Sequence, residues 1–516
     1  MSACRSARWV PLLRLIGACG AGALAVPAFA PYGLYPLALL SPALLLLLLG
    51  RGGSPGEGAR LGWCYGVGLL GFGVFWMHIS IDRFGNVGSA LAILLTLLFI
   101  FTMALYYALL GWGVRRLSGA GAGGGPLLLF AGLWVLGEWL RGWLLGGFPW
   151  LVLGYSQIDS ALAGWAPLFG VYGVSLVLVL GAGLLVMGLR GGPGRIPALL
   201  FLAALWGGGA ALQTLEWTRP GEALRVSLVQ GNIAQELKWK RAQLAPTLRL
   251  YSELTEPHWE SDIVIWPETA VPAFAHQVEE AFLAPLSERA RETDTALLLG
   301  VPVWEDAGRR YYNAMLSLGA VRDHYYKRHL VPFGEFMPLR SLLGPLLEWM
   351  QVPMSDFAAG EGGAPLIRLG RFRAGVSICY EDAFGEEMLA ALPLADFLVN
   401  ASNDAWFGDS LAPHQHLQIA RQRALETGRY LLRATNTGIS AIIDPQGRLL
   451  GTSPAFRRHV LQGSIRVMHG TTPYVRWGNA VAVLLAAALA LLGWRVCRRR
   501  DSTAAERCAN RSECVY

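Results

Sequence analysis

Charge is scarce in this chain. Only 15% of its 516 residues are Asp, Glu, Lys or Arg, while 53% are apolar. An average soluble domain carries about 25% charged residues, so composition points to a membrane protein. Lysine is scarcer still: of 43 cations, only Lys238, Lys240 and Lys327 are lysines. Cysteine numbers seven, and only Cys379 lies between residues 222 and 467, where charges gather. Metal-binding patterns are missing. There is no HExxH and no Cys/His cluster, and His414 and His416 read as a helix start, so no metal and no cofactor are expected. A basic helix and an Arg stripe interleaved with aromatics are missing too. The net charge of +7 sits in short loops and the tail, and no nucleic acid is expected as a partner.

Long apolar runs are abundant. Seven that could cross a bilayer, which takes about 20 helical residues, lie near 10–30, 34–50, 61–79, 88–113, 126–145, 165–189 and 196–213, and an eighth near 476–494. Eight transmembrane helices are therefore expected: a seven-span domain over 1–213 and a last span over 476–494, followed by a basic cytoplasmic tail over 495–516. Arg5, Arg8, Arg14, Arg51, Arg60, Arg115, Arg116, Arg190, Arg195 and the cluster Arg495, Arg498, Arg499 and Arg500 fall on one side if every run crosses once. By the positive-inside rule that side is cytoplasmic, which puts residues 222–467 outside. The first run also reads as a signal peptide ending Ala28-Phe29-Ala30, although Pro31 would hinder cleavage. Glu138 and Arg141, three apart on a helix, could pair.

Residues 222–467 change character. Short β-branched runs (Val226–Val229, Ile263–Trp266, Ala296–Leu299, Ala314–Ser317, Phe397–Val399 and Ile439–Ile442) alternate with helical stretches such as Gln277–Thr293 and His414–Thr427. That alternation argues an α/β domain. Cys379 follows the β-like run Arg373–Val376 and precedes the helix-like run Gly385–Leu389, where a sharp turn can expose a nucleophile. It has no cysteine partner in this domain. An unpaired cysteine in an oxidising compartment is a liability unless buried or used. A nucleophilic thiol needs a base and an electrostatic partner. Glu268, closing the run Ile263–Trp266, and Lys327, ending a Tyr-rich run, are placed to serve if strand ends converge on one rim. In a chain that uses arginine almost throughout, a lysine at that position suggests a need for a compact ammonium.

With Glu268, Lys327 and Cys379 in this order, the domain resembles the nitrilase superfamily. The chain from about 10 to 495 is similar to that superfamily's apolipoprotein N-acyltransferase branch of the bacterial inner membrane. The matching stretches are Gly147-Phe148-Pro149-Trp150, Val229–Ile233, Trp266–Thr269, Tyr326–Glu335, Ser377–Glu381 and Asn403–Gly408. The resemblance implies a nitrilase-like four-layer αββα sandwich over 222–467, on the periplasmic face of a multi-pass inner-membrane protein. It also implies a Glu268–Lys327–Cys379 triad that moves an acyl chain from a phospholipid, typically phosphatidylethanolamine, through a thioester on Cys379. The acceptor is the N-terminal α-amine of a diacylglyceryl-cysteine on an apolipoprotein. Glu268 would be the base and Lys327 the oxyanion stabiliser. Glu335 and Glu381 match accessory carboxylates, and Trp150, Trp239 and Trp406 match substrate-site positions.

Two rivals share these residues. A membrane-tethered nitrilase-type amidase would pass the same thioester to water, and a silent scaffold would use none of them. The apolar run Phe336–Met350 is expected either as an arm gating lipid entry or as a core helix.

Overall fold

The computed structural model describes residues 3–512 apart from 51, 86, 119–123, 306–309, 333 and 337–356, with side chains from 12 to 499. The expected arm over 336–350 lies outside the described residues except for Phe336. The chain divides into two compact units, one of residues 1–75, 93–215 and 477–516, the other of residues 76–92 and 216–476.

A helix forms at each of the eight long apolar runs. In order they are α1 (Ala3–Leu24), α2 (Leu37–Leu49), α3 (Pro55–Gly73), α4 (Met77–Gly85), α5 (Ser89–Ser118), α6 (Gly124–Arg141), α7 (Ala166–Arg190) and α8 (Arg195–Leu212), with a C-terminal helix Ala480–Ser512. The expectation of eight spans is nonetheless too fine. Among the described residues, four helical segments are long and apolar enough to cross a membrane: Ser89–Ser118, Ala161–Arg190, Arg195–Leu212 and Ala480–Arg499. A fifth is added if α3 and α4, bent by 61°, count as one. Counting apolar residues overlooked geometry. Helix α2 has 13 residues, about 20 Å at 1.5 Å per residue, against a hydrocarbon core of about 30 Å. The run expected over 61–79 breaks between Gly73 and Met77. What stands is a set of apolar helices compatible with a membrane domain.

Glycine sets how closely these helices pack. A Cβ on Gly62 would sit 1.9 Å from the Tyr107 carbonyl oxygen, and one on Gly132 would sit 2.3 Å from that of Ala486. Backbones that close tolerate only hydrogen at the contact, as in small-residue helix interfaces. Glu138 and Arg141 turn to the loop after α6. Arg141 Nη1 donates to the carbonyls of Phe148 and Trp150, both at 2.7 Å. Glu138 Oε1 accepts from Leu153 N at 2.9 Å and Trp134 Nε1 at 3.0 Å. Both charges therefore hold the Gly147–Leu153 loop.

The second unit is built on two six-stranded sheets. The strands are β1 (Thr218–Gln230), β2 (Ile263–Ile265), β3 (Ala296–Glu305), β4 (Arg310–Leu318), β5 (Asp323–Tyr326), β6 (Leu366–Leu369), β7 (Phe372–Ile378), β8 (Phe397–Ser402), β9 (Leu431–Thr435), β10 (Ala441–Ile443), β11 (Leu449–Thr452) and β12 (His459–Gly470). One sheet runs β12-β1-β2-β3-β4-β5 and the other β11-β10-β9-β8-β7-β6. The pairs β1–β2, β2–β3, β7–β8 and β8–β9 are parallel.

Strand residues alternate between two environments. Ile263, Ile265 and Leu298 of the first sheet pack with Val376, Ile378, Val399, Leu432 and Ile442 of the second in one core between the sheets. Val264, Leu297 and Leu299 face outward against Leu286 and Ala290 of the helix Ala284–Glu292. Leu398, Leu431 and Ile443 face outward against Leu417, Ala420 and Ala424 of the helix Leu411–Thr427. The layers are thus helix, sheet, sheet, helix, and continuous apolar strands arise because both faces are covered. The helix expected over Gln277–Thr293 comes in pieces: Ala275–Val278, a π turn Glu279–Leu283 and Ala284–Glu292. Pro285, which has no N–H, cannot continue the hydrogen-bond ladder there.

Leu298 is fully buried between the sheets. Leu298→Ala is expected to destabilise the second unit by about 2–5 kcal/mol, read as a lower midpoint in thermal unfolding of the detergent-solubilised full chain. An unchanged midpoint would contradict the packing described.

Candidate active site

Cys379 stands at the end of β7, the first residue of the turn Cys379–Ala383. Its φ is +53°, a left-handed conformation that costs a non-glycine residue about 1–2 kcal/mol. Three side chains hold the turn. Glu381 Oε2 accepts from Ile378 N at 2.6 Å. The Cys379 carbonyl accepts from Asn400 Nδ2 at 3.1 Å and lies 3.2 Å from His416 Nε2.

Glu268 sits just past β2, carried by Trp266-Pro267, with Thr269 next at φ +49°. Gly300 on β3 is what admits this turn, because a Cβ there would lie 2.3 Å from Thr269 N and 2.4 Å from the Pro267 carbonyl oxygen. Lys327 follows β5. Its N–H donates to the Asn313 carbonyl at 2.8 Å, and its own carbonyl accepts from Gly360 N at 2.8 Å.

Around Lys327 the charges are buried and compensated. The ammonium, 1% exposed, meets Glu335 at 2.8 Å and Glu268 Oε1 at 3.5 Å. Burial alone would lower its pKa, but the carboxylates of Glu335 and Glu268 outweigh that and hold it above the ordinary lysine range. Asn313 Nδ2 bridges the two carboxylates, 2.7 Å from Glu268 Oε1 and 3.0 Å from Glu335 Oε1. Carboxylate oxygens accept only, so the amide nitrogen must face them. Glu335 Oε2 also accepts from Val331 N at 2.9 Å. Glu268 Oε2, by contrast, is buried with no hydrogen-bond partner among the described residues. Burial first, and then the Glu268 carboxylate, push the Cys379 thiol up, against a smaller pull from Lys327.

Glu381 ties the cysteine turn to the lysine segment. Besides Ile378 N it accepts from Arg328 N at 2.7 Å, His329 N at 3.1 Å and the Tyr325 hydroxyl at 2.9 Å. Burial pushes its carboxyl up to about 7, against Lys327 and these donors. The triad residues and both accessory carboxylates thus belong to one contiguous set. Trp239 and Trp406 belong to the second unit and Trp150 to the first. Trp239 is 39% exposed and follows the short helix Gln235–Lys238. Trp406 packs edge-on against Phe84 of α4, ring centroids 4.6 Å apart. Trp150 is buried in the helical unit, its carbonyl held by Arg141.

Several contributors escaped sequence reasoning. Asn313 lies mid-strand on β4, and an amide directly before the apolar run Ala314–Leu316 was the available signal. Beneath Cys379 lies a second charge cluster. His416 Nε2 meets Asp382 Oδ1 at 2.9 Å and His416 Nδ1 meets Asp404 Oδ1 at 3.1 Å. Arg433 donates to Asp404 Oδ2 at 2.9 Å and Asn400 Oδ1 at 2.6 Å, and its Nη2 lies 2.9 Å from His416 Nδ1. Burial and Arg433 oppose a charge on His416, yet Asp382 and Asp404 push it up to about 9. With His416 charged, two cations face two anions. Lys238 is the third omission: it is buried, and its Nζ donates to the Glu268 carbonyl at 3.2 Å. The scarcity of lysine that singled out Lys327 applied equally to it.

Comparison with known proteins places both parts of the chain. The family profile described as carbon-nitrogen hydrolase matches residues 225–473, and that described as apolipoprotein N-acyltransferase N-terminal domain matches residues 21–184. The chain is 47% identical over 487 residues to the apolipoprotein N-acyltransferase of Methylococcus capsulatus, covering 93% of this chain and 95% of that protein. It is 44% identical over 485 residues to the apolipoprotein N-acyltransferase of Nitrosomonas europaea, covering 93% and 97%.

The His416 cluster makes stability depend on pH. A histidine whose folded pKa is raised contributes stability that is complete below its unfolded value of about 6.5. That contribution is lost as pH rises through about 9. Thermal midpoints of the full chain are expected to fall between pH 6.5 and 9, and His416→Gln is expected to flatten that slope. An unchanged slope in the variant would remove His416 as the cause.

Proposed function

The chain belongs to the apolipoprotein N-acyltransferase family, and from that premise we propose that Cys379, Glu268 and Lys327 carry a two-step acyl transfer. The protein N-acylates lipoproteins, with a phospholipid as acyl donor. In the first step Glu268 Oε2 takes the thiol proton as Cys379 Sγ attacks the ester carbonyl of the phospholipid. Lys327 stabilises the oxyanion. The C–O bond breaks, Glu268 returns the proton to the departing lysophospholipid, and the acyl chain remains as a thioester. In the second step the α-amine of a diacylglyceryl-cysteine attacks that thioester, the C–S bond breaks, and the N-acylated product leaves.

The observation that carries the assignment is the asymmetry between the carboxylates. Glu335 neutralises Lys327 at 2.8 Å, while Glu268 keeps one buried oxygen without a partner. A buried, unengaged carboxylate oxygen is a competent proton acceptor. A preorganised ammonium in the same low-dielectric site stabilises the developing charge far better than water would. Because burial and Glu268 push the thiol up, deprotonation is coupled to attack and no standing thiolate is kept. Phosphatidylethanolamine as donor is carried over from the family resemblance; an inner-membrane location and a periplasmic 222–467 domain complete the proposal, supported by the one-sided arginines. Trp239 and Trp406 are assigned to the acyl path by their exposure and half-exposure beside site segments, and Trp150 by its motif.

Purified protein incubated with acyl-labelled phospholipid and a diacylated lipopeptide tests this. Wild type is expected to label Cys379 and then the peptide amine. Cys379→Ala is expected to abolish both signals, and Glu268→Gln to slow labelling by about 10²–10⁴-fold. Free fatty acid with unmodified peptide would overturn acyl transfer in favour of hydrolysis.

A further inference from the structure

The acyl transfer just proposed leaves one proton without an acceptor, and the inference here rests on that reading. An N-terminal α-amine has a pKa of about 8, so it arrives at neutral pH chiefly as an ammonium. Forming the amide removes two of its three protons. Glu268 takes one and delivers it to the departing Cys379 sulfur. The second needs another base. Lys327 is held protonated by Glu335 and Glu268. Both oxygens of Glu335 are engaged by Lys327, Asn313 and Val331 N. The Glu381 oxygens accept from three backbone N–H groups and a tyrosine hydroxyl.

Lys238 differs from all of these. It is 3% exposed and makes no salt bridge among the described residues. Its one hydrogen bond there is to the main-chain carbonyl of the catalytic glutamate, 3.2 Å away. The helix that carries it is pinned next to the site: Gln235 Oε1 accepts from Asn403 Nδ2 at 2.7 Å, and Asn403 Oδ1 accepts from Asn436 Nδ2 at 3.1 Å. We propose that Lys238 is the proton acceptor for the α-ammonium of the diacylated peptide in the second half-reaction. In its neutral fraction the Lys238 amine takes one proton, the freed amine nitrogen attacks the thioester carbonyl carbon, and the C–S bond breaks as the C–N bond forms. Glu268 moves the other proton to sulfur, and Lys238 later releases its proton to solvent. Burial lowers the Lys238 amine to about 8, opposed only in part by the facing Glu268 and Cys379. That matches the group it is to deprotonate.

The test separates the half-reactions. Full-length enzyme is charged with labelled phosphatidylethanolamine, and a diacylated lipopeptide is then added in a single turnover. Lys238→Met is expected to form the Cys379 thioester at the wild-type rate but to pass it to peptide about 10²-fold more slowly at pH 7. The deficit is expected to shrink as pH rises past the pKa of the peptide amine, because solvent then supplies neutral amine. Lys238→Arg keeps a cation in place but cannot give up its proton, and is expected to be as slow as Lys238→Met in the second step. Wild-type aminolysis in either variant would overturn the proposal. So would equal slowing of both half-reactions, which would leave Lys238 only positioning Glu268. A wild-type enzyme that forms no thioester would refute the underlying acyl-transfer reading instead.

Discussion

The site depends on one constraint: a lysine ammonium removed from water must be neutralised where it sits. Lys327 is almost fully buried, and an uncompensated buried ion costs several kcal/mol. Glu335 supplies the close contact and Glu268 the more distant one. Glu335 lies nearer the ammonium, and Glu268 keeps one buried oxygen without a partner among the described residues. Asn313 keeps the two carboxylates together, since a single amide nitrogen donates to both. A base that also had to neutralise the lysine by itself would have less freedom to accept a proton.

Cys379 is held by a separate balance of charge. Cys379 takes a left-handed backbone conformation that a cysteine does not favour, and its carbonyl is held by Asn400 and His416. His416 in turn lies between Asp382 and Asp404, with Arg433 opposite. Buried networks of this kind stay in place only when nearly every member has its partner. Glu381 connects the two balances by gripping Ile378 N on one side and Arg328 N and His329 N on the other. The Cys379 turn and the Lys327 segment are thereby joined through one carboxylate.

Much of the α/β unit was legible residue by residue. Ile263–Trp266 and Ala296–Leu299 read as buried strands because both faces of each sheet are covered, so no polar alternation interrupts them. The turn at Cys379 was legible from a strand-like run meeting a helix-like one. The span count was not. Apolar length along the sequence does not reveal a 61° break after Gly73 or a helix as short as α2. Glu138 and Arg141 have helical spacing, yet both turn to a loop that only the folded chain brings within reach.

By itself the sequence determined the chemical inventory: a single cysteine in residues 222–467, three lysines in the whole chain, and a Glu–Lys–Cys order that matches a known family. These are properties of composition and order, which a linear chain carries in full. The tertiary structure decided which groups are paired and which are free. Lys238 and Lys327 share the scarcity of lysine, but among the described residues one forms salt bridges with two carboxylates, whereas the other hydrogen-bonds to a main-chain oxygen. That difference pushes their pKa values in opposite directions, because the charge state of a buried amine depends on neighbours that come from distant strands.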